Sequence, residues 1–549
     1  MNKQLIKNRI KTSLVWLCGL LALLPWGGVG GGLLSSCADW SDHYEDEGAV
    51  AGANQTLWER LQANPQLSDF CEVLRETKVY RMHKKTTVSY ADLLSGGQSF
   101  TIVAPVNGSF DKAALLQQVQ TPQGDSVVEK SFVQNHLMRA LNSLQIKPYS
   151  ARLLNSKRLA FEENKIEGVN VVDGNVHAKN GVLHIVEKPM PYLRNIFENF
   201  CDMEEFSAIG NNLRYFEEDY FDADASVSSG IIEGVPIYVD SVVIQRNRVL
   251  DQIGYLNAED STYWVVTPTA EGWQRAYEEA MTHFIYDAKV LRSDSLQRLY
   301  ATRALLDDAV YNSSYQRSPE DSLISVQYDR HHPEWHCFYK PFQPGGILSE
   351  ATPLKCSNGI IYQTAEWPFT PEQTYFKELW SEAESTWLIT EEKDCSYDAR
   401  RIEADSISEG AYLRITPKSS TSRWELGFRV NNVLSGYYDV CAIIAPSSVY
   451  STTGSGFSNK FKATINYVDE KGNKKTYDCG GNNFFNDPLH VDTVVLAENF
   501  YFPTCSYGLD DIKTSVTLKC TMTSSDNQRY SRTMYLDCIY LRPRSSKNE

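Results

Sequence analysis

Twelve cysteines, ten histidines and 69 carboxylates give this 549-residue chain ample nucleophiles, metal ligands and acid–base groups, so spacing decides what they can do. The spacing carries no P-loop, dinucleotide fingerprint, GxSxG elbow or HExxH pair. No CxxC pair or Cys/His cluster has zinc-ligand spacing. His331, His332 and His336 come nearest and read as a loop. No Ser/His/Asp set or acidic pair accompanies His136 and His184 at a recognisable spacing, and both read as structural. Glu/Asp pairs able to hydrolyse a glycoside stay open, because two carboxylates can converge from distant positions. The chain therefore offers no catalytic residue, metal site or cofactor site by motif. What remains is recognition. Trp380, Trp387, Trp424, Tyr437 and Tyr438 can stack on sugar rings, with core packing or a domain contact as the alternative for each.

One thiol stands in a telling setting. Lys3, Lys7, Arg9 and Lys11 precede an apolar run, Leu14 to Leu24, closed by Pro25. The run falls short of the ~20 residues that span a bilayer as a helix and suits a signal peptide. Leu34-Ser35-Ser36-Cys37 resembles the lipobox of bacterial lipoproteins. That resemblance implies cleavage before Cys37 and acylation of it. Several chains on one residue anchor stably, whereas one chain is marginal at ~0.8 kcal/mol per buried CH₂. An ordinary signal peptide or a short uncut anchor is the alternative. Residues 1–36 are then a signal peptide and 37–54 an acidic tether, with five carboxylates and no Lys or Arg between Ala38 and Glu47. Such a tether resembles the surface-export signal of Bacteroidetes lipoproteins, although the Lys or Gln often found there is missing. The expected location is the outer membrane, lipid-anchored and facing outward.

Net charge is −16. Nucleic acids are bound largely by Lys and Arg on phosphates, so no nucleic-acid partner is expected. At ~150 residues per domain the processed chain holds three or four domains. Beyond Cys18 and Cys37 ten cysteines remain, six of them in the last third. An even number in an exported chain permits disulfides. Cys441, Cys520 and Cys538 lie in apolar strand-like runs, where buried thiols fit equally well.

Residues 55–190 read as a mixed α/β unit. Leu57, Leu61, Leu67, Phe70, Val73 and Leu74 have helical periodicity; a strand covers Ser99–Val103; helices start near Ser109 or Asp111 and cover Glu129–Leu141; a hairpin turns at Asn180-Gly181. Asn107 is expected to bond nearby backbone and set a turn. Three runs in order, TIVAPVNGSF (from Thr101), FVQNHLM (with His136) and VHAKNGVLHIVEKPM (from Val176), resemble the signature segments of fasciclin domains. The resemblance implies an α+β fold and adhesive or protein-binding roles outside cells.

A divergent second copy is expected over 191–369. TYWVVTPTAEGWQRA (from Thr262) mirrors SFTIVAPVNGSFDKA, and LKCSNGIIYQTAEWPF (from Leu354) mirrors VHAKNGVLHIVEKPMPY. SVVIQRNRVLDQIGYLN echoes a strand and helix in distorted form, and Leu299–Val310 is the expected counterpart of the histidine helix. Tyr362 stands where the first copy has His184, and Thr269-Ala270 replaces the Asn step. An insertion near 311–346 carries Tyr311, Tyr315, Tyr328, Trp335 and Tyr339, and reads either as a partner-docking loop or as local packing.

Residues 370–549 alternate with period two between Gly, Asn, Asp and Ser clusters, the pattern of an antiparallel, jelly-roll-like β-sandwich. Gly410 to Ile444 loosely resembles galactose-binding-like jelly rolls. The expected fold class is therefore tandem α+β fasciclin-like domains followed by an all-β sandwich. The expected function is a non-catalytic, membrane-anchored binding or adhesion protein. Its partners would be a glycan or protein ligand and an outer-membrane transporter or surface lipoprotein of a nutrient-uptake system. A carboxylate-dependent surface enzyme such as a glycoside hydrolase is the alternative.

Overall fold

The structure is a computed structural model that describes residues 54–544 apart from 82–83, 233–234, 314–318, 328–335, 403–405 and 448–455, with the backbone alone given for most of 223–242. The signal peptide, the acidic tether and Cys37 lie outside the described residues, as do Tyr315, Tyr328, His331, His332 and Trp335.

The first unit begins with helix Leu57–Ala63, closed by a capping box in which Thr56 and Glu59 each bond the other's backbone N–H. The six periodic apolar residues from Leu57 to Leu74 are all buried. A short hairpin of β1 (Lys78–Arg81) and β2 (Lys84–Ser89) follows helix Ser68–Glu76. Next come β3 (Phe100–Pro105), β4 (Leu137–Met138), β5 (Tyr149–Arg152), β6 (Arg158–Phe161), β7 (Lys165–Ile166), β8 (Val169–Ala178) and β9 (Gly181–Val186), in the sheet order β4-β3-β9-β8-β7-β6-β5. Two expectations change. The helix expected over Glu129–Leu141 ends at His136, because Leu137 and Met138 leave it to pair with Ile102 and Thr101. Asn107 bonds across the fold instead of setting its own turn: it accepts from Asp69 N–H at 2.9 Å and donates to Pro65 C=O at 2.8 Å.

Asn180 and Gly181 hold the unit shut. Asn180 Oδ1 accepts from Leu57 N–H at 2.7 Å, and its Nδ2 donates to the carbonyls of Leu94 and Gly96 at 2.9 and 2.8 Å. β3 and β9 run parallel with Phe100 opposite Gly181, and a Cβ on Gly181 would sit 1.9 Å from the Phe100 carbonyl. The same arrangement recurs in the second unit. Asn358 accepts from Ile196 N–H at 2.9 Å and donates to Leu256 and Ala258 C=O at 2.8 and 2.9 Å. There Tyr263 faces Gly359, whose Cβ would lie 1.8 Å from the Tyr263 carbonyl.

The second unit differs in its elaborations. Between helices Ser207–Arg214 and Leu250–Ile253 it carries the long hairpin β10 (Glu217–Ile232) and β11 (Val235–Asn247), paired only with each other among the described residues. Its sheet is built from β12 (Tyr263–Pro268) and β13 (Val310–Asn312). After a small antiparallel pair, β14 (Ser322–Ile324) and β15 (Cys337–Tyr339), it is completed by β16 (Thr352–Cys356) and β17 (Gly359–Thr364). The helix expected to end at Val310 spans Ser293–Leu306, and Val310 opens β13. The described part of the insertion packs locally: Leu323, Leu348, Phe338 and Phe342 join Val266, Tyr362 and Phe369 in one apolar cluster.

The terminal region is two facing sheets, each of six strands among the described residues. Its strands are β18 (Leu379–Glu382), β19 (Ile389–Lys393), β20 (Cys395–Arg401), β21 (Ala411–Pro417), β22 (Glu425–Arg429), β23 (Gly436–Ala445), β24 (Lys460–Val468), β25 (Lys474–Asp478), β26 (Phe484–Phe485), β27 (Asp492–Phe502), β28 (Ser515–Cys520) and β29 (Met534–Arg544). One sheet runs β20-β21-β29-β23-β27 with β18 also on β29; the other runs β19-β22-β28-β24-β25 with β26 on β24. The fold class is thus α+β in the first two units, followed by mostly antiparallel β-sheet. The sandwich core is continuous with that of the second unit through Phe284, Phe376, Leu434 and Tyr438. Main-chain bonds stitch the two together, with Ser435 N–H on His283 C=O at 2.9 Å and Cys505 N–H on Ile285 C=O at 2.6 Å. All ten described cysteines are unpaired thiols, eight of them buried.

Candidate functional site

Sheet pairing decides which aromatic residues can meet a ligand. Successive residues of a strand face opposite sides. Tyr437 and Tyr438 therefore cannot share a surface. Tyr438 is buried against Phe376 and Phe502, and its hydroxyl accepts from Leu434 N–H at 3.3 Å. Trp424 is also core, its Nε1–H donating to Arg532 C=O at 2.7 Å. Neither can stack on a ligand, which corrects their assignment as binding residues. Tyr438 lies on β23 and Trp424 just ahead of β22, and both belong to the core between the sheets.

Trp380 and Tyr437 remain, and β29 links them. Trp380 pairs with Tyr540, ring centroids 4.4 Å apart, and the Tyr540 hydroxyl donates to Glu378. Two and four residues further along β29, on the same face, come Arg542 and Arg544. Both grip the buried Asp439 of β23: Arg542 Nη2 lies 2.6 Å and Arg544 Nε 2.8 Å from Oδ2. Asn499 N–H donates to Oδ1 at 3.0 Å. Burial alone would raise the Asp439 pKa, but the two guanidinium groups and this N–H outweigh it and hold the carboxyl at about 2. Arg544 is opposite Tyr437, whose ring packs on Tyr501 of β27 at 4.8 Å. The outer face thus presents Trp380 backed by the buried Tyr540, an ionic centre and a second aromatic pair over roughly 13 Å of strand. Trp387 is 66% exposed, but it lies in the turn before β19, under the Arg429 guanidinium at 5.6 Å, and does not join this strip. The sequence reading missed Tyr501, Tyr540, Arg542 and Arg544. The Tyr540-x-Arg542-x-Arg544 alternation near the carboxyl terminus was the available signal.

A second group was also missed. Glu382 ends β18, Glu384 follows it, and Asp537 lies on β29 beside Cys538, the residue paired with Glu382. Glu382 Oε2, Glu384 Oε2 and Asp537 Oδ1 are buried without a hydrogen-bond partner, and none of the three carboxylates forms an ion pair among the described residues. Ser408 serves the other oxygens, its Oγ donating to Glu382 at 2.8 Å and its N–H to Asp537 at 3.2 Å. Burial, together with mutual repulsion, pushes Glu382 and Asp537 up to about 7. Ligand atoms of Glu382, Asp537 and Cys538 lie within 4.8 Å of one another. Hard oxygens lacking a counter-charge suit a divalent cation such as Ca²⁺, which takes six to eight oxygen ligands. The motif search assigned no metal here because the ligands are some 150 positions apart and converge only through the β18–β29 ladder.

Both fasciclin-like histidines are structural. His136 is fully buried, with Nδ1–H donating to Phe132 C=O at 2.7 Å and Nε2 accepting from Met190 N–H at 2.9 Å; burial drives its pKa down to about 4. His184 bonds Asn142 C=O at 2.8 Å and Asn175 N–H at 3.2 Å.

Residues 75–191 match the fasciclin domain family, and the contacts of Leu57 with Asn180 extend that unit toward the amino terminus. No curated protein matches the chain. Among solved structures, the chain is similar to the CBM22-1–GH10 modules of Clostridium thermocellum xylanase 10B in complex with xylohexaose. Identity is 12%, over 31% of this chain and 28% of that one, with a TM-score of 0.22. It is similar to the CBM22-1 xylan-binding domain of a Paenibacillus barcinonensis xylanase, at 11% identity over 31% of this chain and 96% of that one, TM-score 0.22. A FAS1 domain pair from the insect cell adhesion molecule Fasciclin I is similar at 11% identity over 50% of this chain and 90% of that one, TM-score 0.19. At these identities and scores the likenesses assign this chain neither ligand nor activity.

Proposed function

We propose that the chain is a non-catalytic, lipid-anchored surface protein that holds a glycan on the outer face of its terminal sandwich. In this reading two fasciclin domains in tandem join the membrane tether to the sandwich, and the assembly serves an outer-membrane nutrient-uptake system as an accessory subunit. The observation that carries the reading is the strip from Trp380 and Tyr540 through Arg542, Asp439 and Arg544 to Tyr437 and Tyr501. Aromatic faces complement the C–H faces of sugar rings, and Arg donors complement hydroxyl or carboxylate oxygens. Asp439 is fully engaged by its two Arg partners, so it positions them instead of acting as a base. The glycosidase reading finds its best carboxylates in Glu382 and Asp537, but Asp537 is 1% exposed and Ser408 spans both, which leaves no path for a glycosidic bond.

A glycan array probed with the mature chain tests the reading. Binding of at least one polysaccharide without cleavage is expected. Trp380→Ala and Tyr437→Ala each should weaken it about tenfold, a loss of about 1.4 kcal/mol. Unchanged affinity in both variants, or turnover of any array member, sinks it. Intact-mass analysis of native protein checks acylation at Cys37. Pull-down from solubilised membranes checks for a transporter partner.

A further inference from the structure

A cavity of about 340 Å³ lies between the loop that leads into helix Ser293–Leu306 and the loop that joins β27 to β28 of the sandwich. It shares no residue with the outer-face strip. Val290, Leu296, Val468 and Leu509 give it apolar walls. Its charges do not balance: Asp287, Asp510 and Asp511 line it against Lys289 and Lys513, three carboxylates to two ammonium groups. Both ammonium groups are engaged. Lys289 Nζ donates to Gly472 C=O at 2.5 Å, and Lys513 Nζ lies 3.5 Å from Asp511 Oδ2. Asp287 and Asp510 are left without an ion-pair partner among the described residues. Asp287 is the more enclosed, at 6% exposure, whereas Asp510 is on the surface. Oδ1 of Asp287 accepts from Lys289 N–H at 2.9 Å, and backbone closes over that oxygen: a Cβ on Gly472 (φ +75°) would lie 2.6 Å from it. Oδ2 has no hydrogen-bond partner among the described residues, yet it is not one of their sealed, unpartnered atoms, so it keeps accessible surface where Asp287 lines the cavity.

A nearly buried carboxylate with one open oxygen and no counter-charge calls for a cation. A metal ion does not suit the geometry. Among the described residues only Glu382, Asp537 and Cys538 bring three ligand atoms within 4.8 Å of one another, so no three groups of this cavity can share one ion. An anion would meet the surplus of carboxylates, and a neutral ligand would leave Asp287 uncompensated. An ammonium or guanidinium donates to Oδ2 in a charge-assisted hydrogen bond. The alkyl stem behind it lies along the apolar walls, as lysine and arginine stems do on protein surfaces. The volume is at the low end for small-molecule sites, which suits one such stem and its head. We propose that this cavity binds a single alkylammonium or alkylguanidinium group, with Asp287 as its counter-charge and Asp510 assisting from the rim. A lysine or arginine side chain of a protein ligand and a free diamine both carry that chemistry. The site stands whether or not the strip holds a glycan.

The test is saturation-transfer NMR and calorimetry on the full mature chain. The cationic probes are the Nα-acetyl methylamides of lysine and arginine and the free diamine 1,5-diaminopentane. The norleucine and glutamate methylamides are the neutral and anionic controls. At least one cationic probe should bind saturably, about tenfold or more tighter than the norleucine control. Tightest binding by an amino-acid derivative marks a protein ligand, and tightest binding by the diamine marks a free amine. Asp287→Asn, which keeps the bond to Lys289 N–H and removes the charge, should weaken the cation about tenfold with unchanged thermal unfolding. Asp510→Lys, at an exposed position, sets a rival cation at the rim and should weaken it about fivefold or more, even where Asp287→Asn lowers the unfolding midpoint. Trp380→Ala should leave it intact, which separates this site from the strip. Absence of saturable binding by all three cationic probes, equal or tighter binding of either control, or undiminished affinity in either charge variant overturns the proposal.

Discussion

The two α/β units share a closing device and differ in nearly everything built around it. In each, an Asn-Gly step ends the antiparallel partner strand, and the Asn amide ties the first helix to the loop before the central strand. In each, the Gly lets two parallel strands start in contact. Away from that device the side chains diverge. His184, opposite Val103, bonds loop backbone, whereas Tyr362, opposite Val266, packs under the insertion with Phe342. The four- and six-residue strands β1 and β2 have as their counterparts the 16- and 13-residue strands β10 and β11. The first unit ends in its own core, while the second shares one with the sandwich. A backbone-level closure with three hydrogen bonds tolerates wide change in what covers it, because no covering side chain takes part in those bonds.

The junction between the units gives the largest expected effect. Lys157 is buried between Glu198 (3.1 Å), Glu259 (2.7 Å) and Ser357 (3.0 Å). Burial would raise the Glu198 pKa, but Lys130 and Lys157 outweigh it and hold the carboxyl at about 2. Lys157→Met leaves Glu259 without its cation and Glu198 with Lys130 alone, and should cost about 3 kcal/mol, read as a drop in the unfolding midpoint. A loss under 1 kcal/mol would show that the units are joined in some other way.

Asn180→Ala and Asn358→Ala each leave a buried N–H and two carbonyls unanswered, a loss of about 3 kcal/mol. The first should lower only a transition of the first unit. The second should lower the second unit and the sandwich together, because one apolar cluster spans them. Two independent transitions in Asn358→Ala would break the contrast.

The acidic group on the sandwich provides the third test. With Glu382 and Asp537 raised to about 7, the folded state holds protons that the unfolded chain releases near pH 4 to 4.5. In chelator, stability should therefore fall as pH rises from about 4.5 to 7 and then level off. Calcium at about a hundredfold its dissociation constant should restore about 2.7 kcal/mol at pH 7.5, and Glu382→Gln should remove the response. A flat melting temperature across calcium concentrations rejects the cation.

The smallest effect separates the units by pH. His136 has a folded pKa of about 4, below its ordinary 6.5. The unfolded chain takes up that proton first, so its contribution is complete above pH 6.5 and is lost as pH falls toward 4. At pH 5 the first unit should be about 2 kcal/mol weaker than at pH 7, seen by hydrogen exchange in β3 and β9. His136→Gln should flatten that profile. Equal acid sensitivity in that variant would assign the effect elsewhere.

Much of the fold was legible because its signals are local. The TIVAPVNGSF and NGVLHIV runs placed both parallel strands of the first unit, and alternation announced the sandwich. The long β10–β11 hairpin was read as a distorted echo because its strand pattern gives no hint of pairing solely with itself. The binding residues were half legible. Trp380 and Tyr437 are on the strip, but their partners Tyr540, Arg542, Arg544 and Tyr501 come from strands 60 to 160 residues away. Tyr438 and Trp424 were misplaced because an aromatic in or beside a strand reveals its face only once the register is known.

The sequence by itself determined the order of units, the Asn-Gly turns, the helix caps and the excess of negative charge, all of which depend on residues a few positions apart or on simple totals. The tertiary structure alone decided that Glu382 meets Asp537, that Asp439 meets two arginines, and that Tyr300 packs edge-to-face on Tyr507. Those meetings depend on strand register and on how one sheet seats against another. Such long-range choices are fixed by the burial of the whole core, and no short window of residues contains that information.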